Sequence, residues 1–240
     1  MKKKMFMVFI AGMIIVMIGG MFWLMDSYKA TEQPLNMIEN RQEINSRENG
    51  WLEIMPGQKS ETGIIFYPGA RVEPEAYVPL AFQISQQGFM VVIVSMPFNL
   101  AIFGVNEADK VIAEYEQITN WVIVGHSLGG AMAGRYIKNN PQKVEQLILL
   151  ASYIDGDDDL SDFEELDVLS IYAENDEIVT AEDIEESKKY LPSNTEFIEI
   201  EGGNHSQFGF YGFQDNDGRA TIKRSEQHNF VVEIISKFLK

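Results

Sequence analysis

The sequence predicts an α/β fold: a mostly parallel sheet with helices on both faces, preceded by one N-terminal transmembrane helix. Three observations lead there. Short β-rich runs alternate along the chain with helical patterns, the signature of βαβ units. Several of these runs, such as Phe89–Ser95 and Trp121–Val124, are continuously apolar, as strands covered on both faces are. The chain also opens with three lysines followed by a long uncharged stretch.

The elements follow in chain order. Lys2, Lys3 and Lys4 precede the apolar run Met5–Met25. As a helix that run is roughly 30 Å long, the thickness of a bilayer's hydrocarbon core. The lysines predict a cytoplasmic N-terminus and an extracytoplasmic remainder, a membrane-anchored protein. Secretion after signal-peptide cleavage is the alternative. A signal peptide's apolar core usually has about 7–15 residues, and Tyr28-Lys29-Ala30 makes a poor cleavage site. A signal anchor over residues 1–30, a polar linker over 31–50 and one folded domain over 51–240 are therefore expected.

Within the domain, Trp51–Met55 reads as a short first strand. Gly63–Tyr67 is a strand that ends in a Pro-Gly turn. Pro74–Gln87 is a helix with a proline start, and Phe89–Ser95 is the next strand. Asn106–Ile118 is a helix with an Asn cap. Trp121–Val124 is a buried strand, and the helix Leu128–Asn140 is stopped by Pro141. Val144–Leu150 and Val168–Tyr172 are strands. Thr180–Tyr190 is a charged helix with a threonine cap. Thr195–Ile200 alternates like a strand, and Ile222–Leu239 has helical spacing. The acidic stretch Asp155–Asp159 reads as a solvated loop: its aspartates are consecutive and Gly156 comes too early for a calcium loop.

Composition bounds the function. Apolar residues make up 45%, enough for a packed core. A formal net charge of -17 argues against nucleic acid as a partner and disfavours anionic substrates. With no cysteine, disulfides, thiolate metal sites and a cysteine nucleophile are excluded. The oligomeric state is left open.

Gly125-His126-Ser127-Leu128-Gly129 fits G-x-S-x-G. Its context gives it weight: it follows a buried strand and opens a helix, where a strained turn lifts the serine hydroxyl above the sheet edge. Ser127 is the expected nucleophile. It needs a base, and the chain has three histidines. His126 adjoins the serine and suits a structural role. His228 sits among polar neighbours in the final helix and reads as a surface residue. His205, in the Gly-rich loop after the last strand, is the expected base. The base needs a carboxylate to fix its tautomer. Among Glu174, Asp176, Glu177 and Asp183, Asp176 is chosen for its place in the turn just past a strand. The oxyanion hole needs two backbone N–H groups. Leu128 is expected to supply one and Ala70 the other, with Gly69 second. An ordinary Pro-Gly turn at that place is an equal alternative.

The domain resembles the α/β-hydrolase superfamily, and more narrowly a group of small bacterial hydrolases classed with dienelactone-hydrolase-like proteins. The resemblance rests on the elbow, on Phe66-Tyr67-Pro68-Gly69-Ala70, on Met96-Pro97-Phe98-Asn99-Leu100-Ala101 and on the stretch from Gly202 to Gly209 with Tyr211-Gly212. It implies the α/β-hydrolase fold and Ser127, Asp176 and His205 as the triad. True dienelactone hydrolases carry a cysteine where this chain has Ser127, so their substrate does not carry over.

The expected activity is hydrolysis of a carboxylic ester or related acyl bond through an acyl-enzyme, with a small-molecule acyl substrate and no metal or organic cofactor. An acyltransferase on the same triad, or a non-catalytic ligand-binding protein, are the alternatives. About 17 residues separate Leu150 from Val168, too few for a cap domain, so an open site with minimal or no cap is expected. Phe208, Phe210, Tyr211 and Phe213 form a wall of it or pack beneath the final helix.

Overall fold

A computed structural model describes residues 9, 10, 12, 13, 17, 19, 20, 26–58 and 60–240. The expected membrane span Met5–Met25 lies mostly outside the described residues. Among those described, no helix is long and apolar enough to cross a membrane.

Eight strands form one sheet: β1 (Ile44–Ser46), β2 (Leu52–Ile54), β3 (Thr62–Tyr67), β4 (Met90–Ile93), β5 (Asn120–His126), β6 (Gln146–Leu150), β7 (Asp167–Ala173) and β8 (Glu196–Ile200). Their order is β1-β2-β4-β3-β5-β6-β7-β8. β1–β2 and β2–β4 pair antiparallel, and every other pair is parallel. The helices are α1 (Glu32–Asn40), α2 (Val78–Ser85), α3 (Glu107–Glu114), α4 (Leu128–Asn139), α5 (Ala181–Ser187) and α6 (Arg224–Phe238).

Side chains alternate across a strand, so each central strand feeds two cores. Ile64 and Phe66 of β3 face one cluster with Leu80 and Ile84 of α2 and Val231 and Ile235 of α6. Ile65 and Tyr67 face the other, with Val111 of α3 and Met132, Tyr136 and Ile137 of α4. This two-sided burial is why the strands read as continuous apolar runs.

The order β4-β3-β5 has a functional consequence. The chain leaves β3 by α2 on one face to reach β4, then crosses to the other side of β3 for β5. The crevice beyond the C-terminal ends of β3 and β5 is therefore the switch point of the sheet, the place where such folds bind ligands. The loop after β3 and the Gly125–Gly129 turn after β5 both open there.

Segment 31–50 is not a linker. It holds α1 and β1, and Ile44 is buried in the same core as β2. Tyr28 bridges to Val72, so the folded unit begins upstream of residue 51. The polar composition hid this, because α1 presents only Pro34, Met37 and Ile38 inward. The Asn106 helix is shorter than expected, and its side chain makes no cap bond. Thr180 does cap α5, in a reciprocal capping box with Asp183. Within the acidic stretch, Asp155 and Asp157 are exposed, but Asp158 is buried and paired with Arg135 at 2.8 Å.

Candidate active site

The turn between β5 and α4 puts Ser127 at φ 52, ψ −126, a conformation costing on the order of 1–3 kcal/mol that the surroundings must hold in place. Two glycines make the turn possible. A Cβ on Gly125 would lie 2.4 Å from Gly130 Cα, and one on Gly129 would lie 2.1 Å from the Tyr67 carbonyl and 2.5 Å from that of Pro68. The second approach also brings the start of α4 against the loop after β3. The Ser127 N–H donates to the Leu150 carbonyl at 3.0 Å, and the Ser127 carbonyl accepts from Ser152 Oγ at 2.7 Å. The serine is half-buried at the lip of the turn.

His205 and Asp176 come together 29 residues apart in sequence. His205 Nδ1–H donates to Asp176 Oδ2 at 2.8 Å, and both side chains are shut off from solvent. The other oxygen, Oδ1, accepts the N–H groups of Ile178 at 2.8 Å and Val179 at 2.7 Å. The carboxylate is thereby aimed at Nδ1 and fixes the tautomer of the neutral ring, with the proton on Nδ1 and the lone pair on Nε2. That nitrogen is buried and has no protein partner. Among the described residues no hydrogen bond joins the Ser127 hydroxyl to it. The other acids lie elsewhere: Glu174 and Glu177 are exposed, and Asp183 is committed to capping α5.

The loop carrying His205 is clamped by residues that sequence reasoning missed. Buried Asp217 accepts the N–H and hydroxyl of Ser206 at 2.8 and 2.6 Å. Gln227 accepts the Asn204 N–H and donates back to the Asn204 carbonyl. Nothing in a single sequence marks either one, since a polar residue in a polar loop or on a helix looks solvated.

The facing loop holds a second such group. The Tyr77 hydroxyl accepts the Gly69 N–H at 3.0 Å and donates to His126 Nδ1 at 2.8 Å. Burial holds the Tyr77 phenol well above its usual range, so it stays a donor. Burial, reinforced by His205, holds His126 neutral. The His126 ring lies 4.6 Å from that of His205, consistent with a structural role. Tyr77 thus occupies the Gly69 N–H, while the Ala70 and Leu128 N–H groups donate to no protein acceptor among the described residues.

His228 is fully buried, contrary to its reading as a surface residue. Its Nε2 donates to the Gln207 carbonyl at 2.8 Å, and desolvation pushes its pKa down to about 4. Its polar sequence neighbours face outward while the histidine faces in, beneath the His205 loop. Of the aromatic run, Phe208 and Tyr211 pack in the core and Phe210 lies against His228 and Arg224. Only Phe213 is exposed.

A cavity of about 330 Å³ opens beside Ser127, lined by Met132, Tyr153, Ile154, Asp155 and Val179 among others. A larger one, about 780 Å³, is lined by Asn204, Gln207, Phe213, Arg219 and Arg224 but by none of Ser127, Asp176 and His205. The smaller is the one that adjoins Ser127.

Residues 63–229 match the family described as "Alpha/beta hydrolase family". No curated protein matches the chain at the level of sequence. Solved structures share the fold at low identity. A monoacylglycerol lipase of Paleococcus ferrophilus is 14% identical with a TM-score of 0.61, covering 80% of this chain and all (100%) of its own. The α/β hydrolase MGS-MChE2, from a lagoon-sediment metagenome, is 16% identical with a TM-score of 0.61, covering 81% and 98%. Est1E of Butyrivibrio proteoclasticus, solved with ferulic acid bound, is 14% identical with a TM-score of 0.59, covering 79% and 95%.

Proposed function

Because this chain belongs to the alpha/beta hydrolase family, we propose that it is a serine hydrolase cleaving a carboxylic ester or related acyl bond. The observation that carries the reading is the buried His205–Asp176 bond of 2.8 Å, in a chain that also holds a strained elbow serine. A histidine oriented in this way has one task left for its second nitrogen, the transfer of a proton.

In the proposed cycle Ser127 attacks the substrate carbonyl as His205 Nε2 takes its proton. Asp176 stabilises the imidazolium. The N–H groups of Ala70 and Leu128 receive the developing oxyanion, which the unused state of both donors supports. His205 then gives its proton to the leaving alcohol, and an acyl-enzyme remains. Water, activated by His205, attacks it, and the acid leaves as Ser127 is regenerated. The cycle needs no metal or organic cofactor. Serine–histidine contacts often tighten only when substrate is bound, which accords with the absent bond between the two. The cavity of about 330 Å³ supports short acyl or alcohol groups on neutral small molecules or cell-envelope material. The narrower likeness to small dienelactone-hydrolase-like enzymes with a serine nucleophile belongs to this proposal.

We also propose that Met5–Met25 anchors the chain in a membrane with the domain on the extracytoplasmic side, secretion after cleavage being the alternative.

The test of the nucleophile is labelling of the detergent-solubilised full chain with a fluorophosphonate, followed by peptide mass spectrometry. Label at Ser127 that disappears in Ser127→Ala is expected. Folded protein that takes no label would overturn the assignment.

A further inference from the structure

We propose that the rim of the site formed by Phe98, Ile102 and Phe103 rests in the interface of a lipid bilayer, turning the opening beside Ser127 toward the membrane. This rests on the reading of Met5–Met25 as an anchor.

The rim is apolar and exposed. Phe98, Ile102 and Phe103 are 57%, 50% and 58% exposed. They share the loop after β4, at the same sheet edge as Ser127. The rings of Phe98 and Phe103 meet edge to face at 6.0 Å. The backbone holds them outward in an unusual way: Phe98 and Asn99 lie at φ 56 and 53, consecutive non-glycine residues in the left-handed region. Ala101, between Phe98 and Ile102, is buried and pins the loop. The turn Ala101–Phe103 packs on α4, the helix that Ser127 opens. Tyr153, 40% exposed, lies on the wall of the Ser127 cavity.

The entry of the chain into the domain points to the occupant. Arg71 donates to the Asp26 carbonyl at 2.7 Å and to its carboxylate at 2.8 Å, and the Tyr28 N–H donates to the Arg71 carbonyl at 2.6 Å. The Arg71 N–H in turn donates to the Asn99 carbonyl at 2.6 Å. Asp26 is thus tied to the residue that holds the exposed loop, and it directly follows the uncharged run Met5–Met25. No residue separates Asp26 from that run in the sequence, so a bilayer that takes up the run has its surface at this corner of the domain. Aromatic and aliphatic side chains beside such an entry point suit the headgroup boundary. A second copy of a chain with net charge -17 would meet a like-charged partner. A neutral bilayer does not. The consequence for the proposed reaction is an ester substrate that partitions into the membrane interface and presents its acyl bond from there.

The chain has no cysteine, so single labels can be placed at will. Phe98→Cys, Phe103→Cys and, at the opposite sheet edge, Glu116→Cys are each labelled with bimane in the full chain. The chains are reconstituted into phosphatidylcholine vesicles containing a shallow spin-labelled lipid. Quenching severalfold stronger at 98 and 103 than at 116 is expected. Equal quenching at all three sites, in chains that float with the vesicles, overturns the docking. Chains that do not float overturn the anchor and the docking with it. A blue shift that depends on protein concentration and not on lipid makes the patch a contact between copies and also overturns the proposal. The readout needs no turnover, so it stands apart from the fate of the Ser127 assignment.

Discussion

Tyr77 joins the loop after β3 to the base of the elbow through one oxygen atom, and Tyr77→Phe removes only that atom. The ring keeps its packing on Phe66, with centroids 4.8 Å apart. What is lost is the partner of the Gly69 N–H and of His126 Nδ1. All three residues are buried, so water does not replace the bonds. Each stranded group costs about 1–3 kcal/mol. The variant should therefore lose about 2–6 kcal/mol, a large part of the 5–15 kcal/mol that holds an ordinary domain. Urea unfolding followed by tryptophan fluorescence reads this as a lower midpoint at unchanged m. Tyr77→Phe combined with His126→Leu should cost less than the sum of the single variants by about 1–3 kcal/mol, because both break the same bond. An unfolding free energy within about 0.5 kcal/mol of wild type, or strict additivity in the double variant, would refute the reasoning. If Ala70 serves as oxyanion donor, the loosened loop should also lower kcat on a short ester by up to about 10²–10³-fold, the effect of losing one such donor.

Other substitutions test other joints. Gly129→Ala drives a methyl to 2.1 Å from the Tyr67 carbonyl, so the elbow must shift; a variant as stable and as reactive with fluorophosphonate as wild type would contradict the close approach. Asp176→Asn should preserve the fold but drop kcat by about 10⁴-fold through the wrong imidazole tautomer, measured on a short-chain ester; a loss under about tenfold would remove Asp176 from its role. His228 has a folded pKa of about 4 against an unfolded value of about 6.5. Between those values the unfolded chain binds a proton that the fold excludes, so stability is complete above pH ~6.5 and falls as pH drops toward 4, by on the order of 3 kcal/mol. His228→Gln should flatten that dependence in urea midpoints between pH 4 and 7, although His126, shifted the same way, leaves part of it. Identical slopes in both proteins would show that His228 does not drive it.

The readings that held were those where one physical constraint dominates a short stretch of chain. Burial on both faces leaves no room for polar residues, so β4, β5 and β6 announce themselves. The elbow is legible because Gly125 and Gly129 face backbone that no side chain could share. The readings that failed depended on what a residue meets far along the chain. His228 has polar neighbours in sequence, yet it lies beneath the Gln207 carbonyl. Asp158 sits in an acidic run, yet it is buried against Arg135. The segment 31–50 looked like a tether because α1 buries little of its surface and β1 is three residues long, held by pairing with β2.

The sequence by itself determined the alternation of strands and helices and the strained serine turn, because each follows from local backbone sterics and burial; it narrowed the base and acid candidates to His205 and Asp176 only by elimination and by their places past strands. Only the tertiary structure decided that Asp176 lies 2.8 Å from His205, that the Tyr77 hydroxyl takes the Gly69 N–H, and that Asp26 enters beside the exposed Phe98 loop. Those facts join residues from separate strands and loops, and their distances are set by how the sheet twists and its helices pack rather than by any spacing along the chain.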